Sequence, residues 1–136
     1  MQKLLILHGA LGSASQMLPL KLILEKHFDV YTLDFTGHGL NSKDSDEFSI
    51  EQFGQDVVRF LDENKIEIPI NIFGYSMGGY VALFLASKYP KRIKRIYTIA
   101  TKFNWNKESA KKESGFLDTG NIEMKVPKYA QMLSER

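Results

Sequence analysis

At 136 residues, with 43% hydrophobic and 25% charged side chains, the chain is long enough for one domain with its own core and too short for two comfortable ones. Eighteen basic and sixteen acidic residues leave a net charge of +2 with no block of one sign, so neither a nucleic-acid-binding stripe nor a membrane surface is expected. The absence of cysteine excludes a disulfide frame, a thiolate zinc site and a cysteine nucleophile.

The N-terminus, MQKLLILHG, has one lysine and a four-residue apolar run, far short of a signal-peptide core. No stretch reaches the roughly 18 apolar residues of a membrane span, and a cytoplasmic location is the expectation. Short apolar runs alternate with longer segments of helical period, the pattern of a parallel sheet covered by crossover helices on both faces. Four runs predict buried strands: Leu4 to Leu7, Val30 to Phe35, Ile68 to Phe73 and Ile93 to Ala100.

Between the first two runs, Ser13 or Ser15 caps a helix expected to reach about Lys26, with Pro19 tolerable only in its first turn. His27, at the end of that helix, is expected at the surface. The second crossover opens with a capping box, Ser49 and Gln52, and a hydrophobic staple, Phe48 and Phe53. Ile50, Phe53, Val57, Phe60 and Leu61 then form one apolar stripe ending near Asn64. The third helix begins at Ser76, and Tyr80, Val81, Leu83, Phe84, Leu85 and Ala86 predict burial all round. After Ala100 the alternation stops, and residues 102–136 read as one or two polar helices around Gly115, Gly120 and Pro127.

Three glycine-marked loops follow three of these strands: HGALGS at 8–13, DFTGHG at 34–39 and GYSMGG at 74–79. In an open parallel sheet the carboxyl ends of the strands share one edge, where ligands bind, so the three loops predict a site. A G-x-S-x-G turn between strand and helix projects its serine above the sheet, and Gly74 and Gly78, beside Gly79, suit the crowded backbone around it. The same pattern alone also describes a serine-capped helix after a tight turn. The apolar strand before Ser76 and the apolar helix after it favour the nucleophile.

Attack on a carbonyl develops an oxyanion, which preorganised backbone N–H groups stabilise. Met77, at the start of the third helix, supplies one such donor; the other comes most simply from Ala10, with Leu11 as the next candidate. Leu11 and Tyr75 are the expected substrate contacts. His8 and Gly9 shape the first loop, a structural role being favoured for His8 over proton transfer. Asp34, Gly37, His38 and Gly39 shape the second, with Asp34 and His38 expected to bond its backbone. A nucleotide-binding reading carries less weight, since no G-x-G-x-x-G follows the first strand and no lysine follows GYSMGG.

In that order and spacing, HGALGS, DFTGHGLNS and GYSMGG resemble the α/β-hydrolase superfamily, in its branch of small serine esterases and carbon–carbon bond hydrolases. The resemblance covers residues 1 to about 101 as the core, with 102–136 similar to the start of a helical cap. It implies that Ser76 is the nucleophile, that Met77 and Ala10 donate to the oxyanion, and that a small-molecule ester or thioester is cleaved through an acyl-enzyme without metal or cofactor.

The family orders its triad as serine, acid, histidine, whereas His8, His27 and His38 all precede Ser76 and the only later aspartate is Asp118. The family's last two strands are also missing from the pattern, as is the antiparallel pair before Leu4. Three readings follow: an N-terminal part of a longer enzyme, a degenerate relative that binds without turnover, or an early histidine recruited as base. The end at QMLSER, inside a helical pattern, favours the first. The chain alone is then expected to be nearly inactive, and its uncovered sheet edge to invite self-association.

Overall fold

The computed structural model describes residues 1–41 and 48–116. Two compact units divide the chain, Met1–Thr101 and Lys102–Arg136. Four strands make up the first unit's sheet: β1 (Gln2–Leu7), β2 (Phe28–Thr32), β3 (Ile70–Tyr75) and β4 (Ile93–Ile99). All pairs are parallel, in the order β2-β1-β3-β4. Three helices connect them: α1 (Leu18–Leu24), α2 (Ile50–Glu63) and α3 (Met77–Lys88).

The step from β1 to β2 runs one way across the sheet, and the steps to β3 and β4 run the other. Because parallel crossovers are right-handed, α1 lies on one face and α2 and α3 on the opposite face. The core forms beneath the latter pair. Leu5 and Leu7 of β1 and Ile70 and Ile72 of β3 meet Phe53, Val57 and Leu61 of α2 and Val81, Ala82 and Leu85 of α3. Each of these side chains larger than alanine, fully buried, contributes roughly 1.5–3 kcal/mol. Leu4 and Ile6 alternate to the α1 face and are also buried.

Several boundaries differ from the sequence pattern for local reasons. β2 begins at Phe28 rather than Val30 because Phe28 and Asp29 pair with Gln2 and Lys3, and it ends at Thr32. Beyond it the Phe35 N–H leaves the ladder to donate to His8 Nε2 at 3.2 Å. β3 starts after Pro69, which has no N–H to give a ladder, and Ile68 is exposed. The single helix expected from Ser13 is a 3₁₀ turn over Ala14–Met17 followed by α1, with Pro19 in the first turn of α1. The all-round burial expected of α3 is not seen: Tyr80 and Leu83 are exposed, while Val81, Ala82 and Leu85 face the sheet and α2.

The second unit contains α4 (Lys107–Phe116). Asn106 Oδ1 accepts from the Ser109 N–H at 2.8 Å, and Ser109 Oγ accepts from the Asn106 N–H at 3.0 Å, closing its N-terminus. Gly120 and Pro127 of the expected tail pattern lie outside the described residues. No helix among the described residues is long and apolar enough to cross a membrane.

Candidate active site

The loops after β1, β2 and β3 leave the same edge of the sheet. Ser76 sits between β3 and α3 with φ 51° and ψ −117°, a region sparsely populated by residues with a side chain. Such strain persists only where the surroundings over-determine it. The Ser76 N–H donates to Ile99 O at 2.9 Å, and its carbonyl accepts from the Gly79 N–H at 3.0 Å. A Cβ on Gly78 would collide with the carbonyl oxygens of Leu7 and His8, so only glycine lets α3 start this close to β1. Gly74 packs directly on the backbone of Gly78 and Gly79.

The β1 loop meets this turn. A Cβ on Gly9 would lie 3.1 Å from the Tyr75 ring and 3.2 Å from Ser76 Cβ, which places the two loops in contact. The Gly12 N–H donates to Gly9 O at 3.0 Å, closing the tight turn that carries Ala10 and Leu11. Leu11 has φ 59°, a second non-glycine residue in the left-handed region beside Ser76. Ala10, Leu11 and Tyr75 are exposed, Ser76 and Met77 half-buried.

His8 has no exposed surface. The Phe35 N–H can only donate, so His8 Nε2 accepts and Nδ1 carries the proton, which it gives to Gly9 O at 2.8 Å. Burial holds its pKa below the ordinary imidazole value; the nearby His38 acts in the same direction, while the Gly9 carbonyl and Asp34 oppose. With both ring nitrogens engaged on backbone, a recruited base at His8 is not what this geometry offers.

The β2 loop is tied to its neighbours. Asp34 Oδ1 accepts from the Ala14 N–H at 2.7 Å and Oδ2 from the Leu40 N–H at 3.1 Å. Gly37 and Gly39 take positive φ within it. His38 Nδ1 lies 3.0 Å from Thr36 O, and its ring is 5.1 Å from that of His8. Asp56 of α2, which the sequence pattern does not single out, accepts from both the Thr36 N–H at 2.7 Å and the Thr36 hydroxyl at 2.9 Å. Its signal was an acid on the buried side of α2, between Phe53 and Val57. His27 is exposed beyond α1. No hydrogen bond joins a histidine to Ser76 among the described residues.

Compared with known proteins, residues 3–135 match the family described as the alpha/beta hydrolase fold. The chain belongs to that family. It is 34% identical over 111 residues to a Mycoplasma genitalium protein named as an esterase/lipase, covering 76% of this chain and 41% of that one. It is 33% identical over 95 residues to ethanol acetyltransferase 1 of Cyberlindnera jadinii, covering 68% of this chain and 28% of the other. The crystal structure of the enol-lactonase from Burkholderia xenovorans matches with a TM-score of 0.65 at 32% identity, over 70% of this chain and 36% of that one. The chain thus spans well under half the length of these relatives.

Proposed function

We propose that this α/β hydrolase carries the nucleophile and oxyanion side of a serine hydrolase acting on an ester, thioester or related carbonyl of a small molecule. One observation carries the reading: Ser76 is held at φ 51° on the β3–α3 turn, in contact with the glycine loop after β1. Ser76 Oγ would attack the carbonyl carbon, and the carbonyl electron pair would move onto oxygen. The backbone N–H groups of Met77 and Ala10 would hold that oxyanion, each worth roughly 3 to 4 kcal/mol of barrier. Collapse expels the leaving alkoxide or thiolate, which takes up the serine proton through a base. Water then hydrolyses the acyl-serine; passing the acyl group to an alcohol instead would match the activity for which the Cyberlindnera relative is named.

Leu11 and Tyr75 would contact the substrate. The base and its acid would come, in the family's order, from beyond Ser76 in the whole protein. Without the base a serine triad loses on the order of 10⁶ in rate, so the 136 residues alone would be nearly inactive. A fluorophosphonate probe on the full-length protein tests the nucleophile. We expect labelling of the wild type and none of Ser76→Ala; equal labelling of both would remove Ser76 from this role.

A second reading, a non-catalytic binding module on the same scaffold, is favoured by the engagement of both His8 nitrogens with backbone. It predicts ligand-induced stabilisation of the full-length protein with no hydrolysis of p-nitrophenyl acetate. Turnover lost in Ser76→Ala would exclude it.

A further inference from the structure

We propose that Thr101 is a positioning residue for Ser76, locking the strained serine turn from the end of the neighbouring strand β4. Three observations converge on it. The Thr101 hydroxyl donates to the Ser76 carbonyl at 2.8 Å, while the Ser76 N–H donates to Ile99 O, so both peptide groups flanking Ser76 Cα are held from the same short segment. Between those two contacts Ala100 has φ 57°, another strained non-glycine residue, and this bend turns Thr101 back toward Ser76. A Cβ on Gly79 would collide with Thr101 Oγ1, so the glycine of α3 leaves room for the hydroxyl.

The physical logic is that of over-determination. A residue near φ 51° and ψ −117° relaxes unless its peptide planes are fixed, and the α3 first turn fixes only the carbonyl side, through the Gly79 N–H. Ile99, the last residue of β4, adds a hold on the N–H side, and Thr101 just beyond the strand adds a second hold on the carbonyl. The Thr101 hydroxyl is the only side-chain donor to Ser76 O among the described residues. Its described hydrogen bonds go to the backbone carbonyls of Ser76 and Ile99, so it acts through the backbone that aims Oγ. The strained serine and the strained alanine therefore form one device, each keeping the other's geometry.

The functional consequence rests on Ser76 being the nucleophile, but the local consequence does not, and two readouts separate them. The first is amide hydrogen exchange in the full-length protein. Thr101→Val, which keeps the shape and removes the donor, should speed exchange at Ser76 and Gly79 by about tenfold. Amides in β1 and α2 should stay unchanged, and Thr101→Ser should restore the wild-type rates. Thr101→Ala serves the same purpose if the valine variant does not fold.

The second readout is the rate of fluorophosphonate labelling, expected to fall about tenfold in Thr101→Val and to recover in Thr101→Ser. Unchanged exchange at Ser76 in the valine variant overturns the proposal. So does labelling at the wild-type rate in that variant while Ser76→Ala stays unlabelled. If wild type and Ser76→Ala label equally, the nucleophile reading fails by itself, and the exchange result alone decides whether Thr101 holds the turn.

Discussion

His8 shows how a titratable side chain at this edge serves the backbone rather than the reaction. Its neutral form satisfies one buried donor and one buried acceptor, Phe35 N–H and Gly9 O. Truncating it in His8→Ala leaves those groups without partners, at a cost of about 1–3 kcal/mol for each that water does not reach, read as a lower urea midpoint. The pH dependence has a definite sign. The folded-state pKa of His8 lies below the ordinary imidazole value of 6.5, so the unfolded chain binds its proton more readily. The contribution is complete above about pH 6.5 and is lost as the pH falls through the lowered folded value. Stability measured between pH 8 and 5 should decline on the acid side, and His8→Ala should remove that part of the decline. The HG pair marks a loop residue in the sequence, but nothing local reveals Phe35 as its partner, because that contact spans 27 positions.

At the scale of elements, features written by neighbouring residues are the legible ones. Ser49 Oγ accepts the Gln52 N–H at 3.1 Å, and the Phe48 and Phe53 rings stack at 6.1 Å, as the spacing at the start of α2 predicts. Ser49→Ala should cost about 1 kcal/mol, visible as a shifted denaturation midpoint without a change in its slope; no shift would mean that the cap contributes nothing. Strand limits were less legible because a partner strand sets them: β2 extends back to Phe28 to meet Gln2, whichever residues are most apolar. Thr101 had no sequence signal at all. An unremarkable threonine after a strand becomes significant only once β4 lies against β3 and brings it to Ser76, 25 positions away.

For the whole molecule, four strands and three crossovers were countable in the sequence, whereas their order β2-β1-β3-β4 was not, since pairing partners are far apart in the chain. Among the described residues β4 pairs only with β3, and on its α1-side face Tyr97 and Ile99 are exposed. An unpaired strand edge beside apolar side chains is a template for association. The 136-residue chain is expected to sediment as a concentration-dependent mixture of monomer and larger species, and Ile99→Lys to shift it toward monomer. A wild type that stays monomeric across the accessible concentrations would contradict this.

The placement of β1 also bears on the order of events during synthesis. Of the four described strands the earliest to be synthesised is an inner one: Leu4 pairs with Val30 on one side and with Asn71 on the other. Its second flank therefore waits until the chain has grown some 67 residues beyond Leu4. Until then the run Leu4–Leu7 is an open hydrophobic ladder on a nascent chain, the kind of segment that holding chaperones cover.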